Sequence, residues 1–149
     1  MALKDIRDKI VAILAAVDGV GVVHEYERWA GDWKKFLDLF KDADGKINGW
    51  IVTRRATPAT RDTEPYIDRR HTMVMKGIYG LNDDAASELT FQAVVENIQN
   101  AFDGEFLLGG FAVNSGPVQV KAVEARLFGG VLCHYAELEY EVWEKATYS

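Results

Sequence analysis

The sequence predicts a fold that contains both α-helices and β-strands, in the order helix, strands, helix and strand pair. This prediction rests on two segments with the periodicity of amphipathic helices and on the alternation of apolar and polar residues near the end of the sequence. Residues 118–143 read as two long strands joined by a turn at residues 128–130, which predicts a C-terminal β-hairpin. In the second strand an apolar face alternates with a face of glutamates, as in a strand with one side buried. The apolar set is Leu132, Ala136, Leu138, Tyr140 and Val142, and the glutamates are Glu137, Glu139 and Glu141.

Composition limits the class of protein. The 149 residues are 48% hydrophobic and 27% charged, which is typical of one globular domain with a sizeable core. A net charge of −6 argues against specific nucleic-acid binding, which needs clustered lysine and arginine. The single cysteine, Cys133, has no internal disulfide partner, so a reducing compartment is expected. No stretch approaches the roughly 20 apolar residues of a membrane span, and we expect no membrane partner.

The helices are predicted from periodicity. Residues 3–17 place apolar side chains at helical spacing, and glycines at positions 19 and 21 end the pattern. A second strong helix is predicted over about residues 84–102, with Asp83 or Asp84 able to cap its first turn. A shorter helix is predicted over residues 32–41.

The strands lie between and after these helices. Short strands are predicted at residues 22–27 and 50–54, and residues 71–79 read as a central strand because both faces are mostly apolar. Residues 55–70 contain two prolines, threonines and mixed charges, which predicts a long, polar, mobile loop. In the first strand of the hairpin the apolar phase slips by one residue, which predicts a β-bulge near Ala122.

Chemical motifs give no candidate catalytic, cofactor or metal residues. Residues 40–51 resemble a calcium loop only in part, because the acidic first and twelfth ligands are replaced by Phe40 and Ile51. Cys133 and His134 are adjacent on a strand and so point to opposite faces. The sequence has no nucleotide-binding glycine motif in the right context and no GxSxG nucleophile motif.

An arginine cluster brackets the predicted loop in an otherwise acidic chain. Such a loop is either a contact for an acidic neighbour or a solvated segment, and the apolar Tyr66 and Ile67 in its middle favour a contact. Aromatic residues near surface segments also indicate contacts, although core packing can equally explain Trp29 and Trp33. The candidate interaction residues are Arg54, Arg55, Arg61, Tyr66, Arg69, Arg70 and Trp143, with Tyr148 close to the last of these in sequence.

One resemblance follows from these features. The chain starts with a helix of about fifteen residues, continues through strands and a long variable loop, and adds an amphipathic second helix before the final strand pair. The strand HTMVM at residues 71–75 precedes the second helix, and an alternating, acid-rich strand, AELEYEV at residues 136–142, belongs to the final pair. In these respects the sequence resembles the tail-terminator or tail-completion (minor tail) protein family of tailed bacteriophages and prophages.

The resemblance implies an α+β domain with a mixed or antiparallel sheet and both long helices packed on one face. It implies a structural protein that is not an enzyme and has no cofactor. Such a protein assembles as a ring, expected to be a hexamer, that caps the tail tube and helps join it to the head. Its expected partners are its own copies, the tail-tube protein and the head-completion protein. It would occupy the host cytoplasm during assembly and then the virion tail, with residues 55–70 as a contacting arm.

Two alternatives remain open at the level of sequence. The extra helix at residues 32–41 departs from the smallest pattern of the family, which leaves room for another neck or head–tail connector component. A small ligand-binding or enzymatic α+β domain is the second alternative, and it would draw its polar groups from His71, His134 and the arginines.

Overall fold

The computed structural model describes residues 2–28, 30 and 32–147. Over these residues the chain has three α-helices and seven β-strands, which confirms a mixed α+β fold. The helices are α1 (Ala2–Ala15), α2 (Trp33–Phe40) and α3 (Ser87–Asp103). The strands are β1 (Val22–His24), β2 (Asn48–Ala56), β3 (Ala59–Arg61), β4 (Tyr66–Gly80), β5 (Asn114–Ser115), β6 (Gln119–Phe128) and β7 (Val131–Thr147).

The strands form one sheet that is organised around β4 and β7. The strand order is β1-β2-β4-β7-β5, with β3 also paired to β4 and β6 also paired to β7. β1 is parallel to β2 and all other pairs are antiparallel, so the sheet is mixed. β4 lies between β2 and β7, which confirms the prediction of a central strand at residues 71–79.

The main core lies between one face of the sheet and the helices α1 and α3. Ile6, Ile10 and Leu14 of α1 are fully buried, at the helical spacing that the sequence shows. They share a cluster with Phe91 and Ile98 of α3 and with alternate residues of β2, β4 and β7. The sheet residues in this cluster are Trp50, Val52, Met73, Met75, Ala136, Leu138, Tyr140 and Val142.

A second cluster covers part of the opposite face, where α2 packs. Phe36 and Phe40 of α2 contact a group of sheet residues there: Ile51, Ile78, Cys133 and Tyr135. The side chain of Asp32 accepts a hydrogen bond from the backbone N–H of Lys35 and so caps the helix. The predicted short helix is therefore confirmed, and it leaves the rest of this face uncovered by any described helix.

The prediction of a loop over residues 55–70 is wrong. β2 continues to Ala56, β3 pairs with β4 from Ala59 to Arg61, and β4 begins at Tyr66. The prolines that suggested a loop occupy the connections, with Pro58 between β2 and β3 and Pro65 just before β4. The first residues of β4 pair with the end of β7, a distant segment whose influence local composition cannot show.

Other boundaries differ by smaller amounts. α3 begins at Ser87, after a short 3-10 turn whose cap is the side chain of Asn82, so neither Asp83 nor Asp84 is the cap of α3. β1 ends at His24 instead of residue 27. The pairing of β6 with β7 shifts register between Val120 and Ala122, which confirms the predicted bulge.

Close packing at Gly77 gives a test of this core. A Cβ atom at Gly77 would lie 2.5 Å from ring carbons of the fully buried Trp50. We expect Gly77→Ala to lower the free energy of unfolding by about 1–3 kcal/mol, because the indole has no room to move. Urea unfolding measures the change.

Gly104→Ala is the matched control. Gly104 has a right-handed helical backbone, and the nearest atom to a new Cβ is 3.9 Å away. We expect this variant to stay within about 0.5 kcal/mol of the wild type. Equal effects of the two substitutions would show that Trp50 does not pack as described.

Candidate functional site

The predicted interaction residues occupy one end of the sheet but two different faces. We call residues 54–70 the arm; they comprise the end of β2, β3 and the start of β4. We call the sheet face opposite α1 and α3 the open face. Because side chains alternate along a strand, Arg55 and Arg70 lie on the open face, whereas Arg54 and Arg69 lie on the helix side. The five arginines therefore do not form one cluster.

On the open face Arg55 bridges two glutamates of β7. Its guanidinium group lies 3.0 Å from a carboxylate oxygen of Glu137 and 2.8 Å from one of Glu139. Arg55 lowers the pKa of the Glu137 carboxyl, and the hydroxyl of Tyr135, which donates to Glu137 at 3.0 Å, acts in the same direction. Burial raises the pKa of Tyr135 to about 12. This part of the open face is thus an ion-pair network in which one guanidinium serves two carboxylates, and not an unbroken acidic surface.

Two aromatic candidates near the arm, Trp143 and Tyr66, each have a cationic side chain over the ring. The guanidinium of Arg70 stacks on the ring of Trp143 at 4.2 Å, and the indole N–H of Trp143 donates to Glu141. Tyr66 is 39% exposed and lies under the ammonium group of Lys145, at 5.2 Å from the ring centre. Flat, partly exposed aromatic groups of this kind are well suited to protein contacts.

On the helix side the arm borders an open cleft of about 620 Å³, which we call the basic cleft. Its walls carry three cations, of which Arg69 pairs with Glu144 at 3.7 Å and Lys145 pairs with Asp62 of the arm at 3.1 Å. Its charged or hydrogen-bonding side chains are Arg54, Thr57, Arg69, His71, Glu144 and Lys145. The hydroxyl of Thr57 lies 2.9 Å from His71 Nδ1, and His71 Nε2 lies 3.4 Å from a carboxylate oxygen of Glu144.

The opposite wall of the basic cleft is an apolar loop that sequence reasoning missed. Residues 105–113, which we call the apolar loop, join α3 to β5. Leu108 and Ala112 are buried and anchor the loop, and Val113 donates its backbone N–H to the carbonyl of Trp143 at 2.8 Å. Four large side chains remain exposed: Phe106 (52%), Leu107 (45%), Phe111 (47%) and Val113 (59%). Their density in the segment EFLLGGFAV is a sequence signal for a contact surface.

The far end of the sheet carries a second, acidic depression. We call it the acidic groove: an open site of about 450 Å³ that includes Leu81, Asp83, Glu88, Leu89 and His134 in its walls. His134 is buried and lies 2.7 Å from the hydroxyl of Ser87 at the start of α3. Cys133 packs instead with α2 on the other face, where burial raises the pKa of its thiol. The neighbours Cys133 and His134 therefore do not form a thiolate–imidazole pair.

The remaining sequence candidates have local structural roles or lie outside the described residues. His24 contacts the carbonyl oxygen of Leu39 at 2.6 Å. Asp42 accepts hydrogen bonds from the backbone N–H groups of Asp44 and Lys46, as in a turn. Among the described residues, no three or more His, Cys, Asp or Glu side chains are grouped as a metal site requires. Trp29 and Tyr148 lie outside the described residues, and so does the side chain of Trp33.

Two comparisons with known proteins found no match. No protein-family model matches the sequence, and no curated protein matches it significantly. Within the described part of the chain, no helix combines the length and the apolar character that a membrane span needs. Any functional conclusion therefore depends on the surfaces described above.

The ion-pair network of the open face gives a pH-dependent prediction. The pKa of Glu137 lies below its ordinary value of 4.5, so its pairing contributes stability above pH 4.5 and loses it as pH falls further. We expect Arg55→Ala to lower the free energy of unfolding by about 0.5–1 kcal/mol at neutral pH, because the pair is partly exposed. The difference from the wild type should shrink below pH 4.5, as followed by urea unfolding across the pH range.

Arg54→Ala is the control, since this substitution removes the same type of side chain from the neighbouring position, which lies on the opposite face. Its guanidinium contacts only the hydroxyl of Thr57, at 3.5 Å, in the hydrogen bonds described. We expect a smaller effect with no dependence on acid pH in this range. A difference between Arg55→Ala and wild type that is constant from neutral to acid pH would contradict the proposed network.

Proposed function

We propose that this chain is a structural protein of a phage or prophage tail, similar to a tail terminator. In this proposal it assembles as a ring, expected to be a hexamer, that caps the tail tube and helps join the tube to the head. The observation that carries the proposal is the exposure of four large apolar side chains on the apolar loop, next to the arm. A surface of this kind is stabilised when another protein covers it.

The composition of this end of the sheet supports a protein partner. Aromatic residues and arginine are enriched in protein interfaces, and Trp143, Arg70, Phe106 and Phe111 lie on the arm, on the apolar loop or on the strand that pairs with both. The fold supports the same proposal, because α1 and α3 share one core and β6 pairs with β7 at the end of the chain. The resemblance implies an α+β domain, and the mixed α+β fold is compatible with it.

Self-assembly tests the proposal directly. We expect sedimentation velocity at low ionic strength and high protein concentration to show a discrete oligomer of ring size, with closed rings in negative-stain images. Phe111→Ser, a change at an exposed position, should shift the distribution towards monomer, because it removes apolar contact area.

Tyr26→Ser is the matched control, since Tyr26 is a comparably exposed aromatic residue (53%) that belongs to neither the arm, the apolar loop nor the lining of the basic cleft. It should leave the oligomer unchanged. A wild type that remains monomeric up to about 1 mM would contradict self-assembly, because that concentration detects even millimolar dissociation constants. Genes for tail-tube and head-completion proteins next to this one would support the phage role; their absence would count against it.

A hydrolytic function is the second candidate, and the contacts between Thr57, His71 and Glu144 favour it. A hydroxyl, an imidazole and a carboxylate are connected in the order of a nucleophile–base–acid triad, with Nδ1 of His71 facing the hydroxyl and Nε2 facing the carboxylate, the reverse of the serine-protease arrangement. Arg54 donates to the hydroxyl of Thr57 at 3.5 Å, which would hold the nucleophile and not an oxyanion of the substrate. We regard these contacts between Thr57, His71 and Glu144 as structural, because they attach the connection between β2 and β3 to β4 and β7.

The structural and the hydrolytic interpretation predict different effects of Thr57→Ala on the rate of ester hydrolysis. We expect the wild type and Thr57→Ala to hydrolyse p-nitrophenyl acetate at the same background rate, while the variant loses about 1 kcal/mol of stability with its hydrogen bond. Thr57→Ser, which keeps the hydroxyl, should retain the stability. A rate for the wild type at least tenfold above that of Thr57→Ala would favour the hydrolytic candidate.

A further inference from the structure

The two ends of the sheet carry opposite charges. The basic cleft has Arg54, Arg69 and Lys145 in its walls; Arg69 lies 3.7 Å from Glu144 and Lys145 lies 3.1 Å from Asp62, whereas Arg54 makes none of the ion pairs in the described part of the chain. The acidic groove has Asp83 and Glu88 in its walls, and no lysine or arginine among the described residues that line it. Asp83 and Glu88 are both exposed and make none of the ion pairs found in the described part of the chain. Each end therefore keeps charge without an ion pair, positive at the cleft through Arg54 and negative at the groove through Asp83 and Glu88, which a surface of opposite sign would satisfy.

Each charged end also has exposed apolar side chains beside it. Phe111 and Val113 line the basic cleft and are 47% and 59% exposed. Leu81 and Leu89 line the acidic groove and are 38% and 72% exposed. Apolar contact supplies affinity and complementary charge supplies orientation in protein association, so both surfaces have what a docking site needs.

The ends are too far apart to contact each other within one molecule. His134 in the groove and Glu144 in the cleft are ten residues apart on β7. At about 3.3 Å per strand residue they are separated by about 33 Å. Contact between like ends of two copies would oppose like charges, whereas contact between unlike ends would pair them.

We propose that copies of this chain associate head to tail, with the basic cleft and apolar loop of one copy docked on the acidic groove of the next. This inference rests on the proposed ring and names the contact within it. A contact between two different surfaces is heterologous, and repeated copies of such a contact close into a ring when the rotation between neighbours allows. The same complementarity makes the association sensitive to salt, because exposed charges are screened within about 8–10 Å at physiological ionic strength.

Charge exchange between the two ends tests the contact. Arg54→Glu with Lys145→Glu makes the cleft acidic, and Asp83→Lys with Glu88→Lys makes the groove basic. We expect each double variant alone to be at least about tenfold weaker in self-association than the wild type, measured by sedimentation velocity. Lys34→Glu with Lys35→Glu, two exposed positions on α2 in neither site, has the same charge change as the cleft variant and should assemble like the wild type.

Mixing the two double variants separates head-to-tail contact from a general charge effect. In the mixture every reversed cleft can meet a reversed groove, and every native cleft can meet a native groove. We expect an equimolar mixture to recover assembly, with the two variants alternating in the oligomer. Circular dichroism of each variant checks folding, and a misfolded variant could not be rescued in this way.

Cross-linking provides a second readout that does not need stable rings. Val113→Cys and Leu89→Cys place a thiol at the cleft and at the groove, while the native Cys133 is buried. With a short bismaleimide, we expect the mixture of the two variants to form covalent dimers. Each variant alone should form no more dimer than the wild type, because like ends do not meet.

The outcomes distinguish this contact from the ring proposal itself. Rings of the wild type together with normal assembly of the charge variants, or with no recovery in the mixture, would overturn the head-to-tail contact and leave the ring proposal standing. Cross-links within Val113→Cys alone would also overturn it, in favour of a like-end contact. A wild type that is monomeric and gives no cross-link in the mixed variants would overturn both.

Discussion

The pairing of β4 with β7 is the interaction on which the rest of the structure depends. All fifteen residues of β4 pair with β7, from Tyr66 opposite Thr147 to Gly80 opposite Cys133. β2 and β3 attach to β4, and β5 and β6 attach to β7, so no other strand except β1 forms without one of these two. A shift of one residue in this register would exchange the two faces of the sheet. It would carry Glu139 towards the helices and Leu138 away from them.

The alternation in β4 and β7 also explains how much of the fold the sequence reveals. The buried set Leu138, Tyr140 and Val142 and the neighbouring glutamates follow directly from a period of two, and the slip near Ala122 is visible in the same pattern. These signals are local. The arm is different, because residues 66–70 are mostly polar and become a strand through pairing with residues 143–147. A composition rich in proline and charge cannot show a partner that lies more than 70 residues away.

The candidate surfaces were harder to predict for the same reason. Five arginines that are close in sequence lie on two faces, because strand geometry alternates their side chains once the loop is replaced by strands. The glycines of the apolar loop are a turn signal in the sequence, and they mask the four large side chains around them. The structure shows that Leu108 and Ala112 occupy the buried positions of the loop, which leaves the other large side chains exposed. Trp143, Tyr66 and Arg70, three of the predicted interaction residues, lie at this end of the sheet, and local sequence does not show that Arg70 and Lys145 lie over the two aromatic rings.

The two edges of the sheet explain why its ends are the more suitable surfaces for association. An unpaired edge strand can add a strand from another copy, and proteins prevent this with charges, bulges and short edges. β1 has only three residues, and β6 combines a bulge with Lys121, Glu124 and Arg126. Glu124 and Arg126 are also paired with each other at 2.7 Å, which keeps charge at this edge. Edge-to-edge growth would moreover produce an open sheet. Contact between unlike ends uses two different surfaces, and the resulting oligomer can close into a ring. The charge and apolar character of the molecule are therefore placed where association has a defined direction.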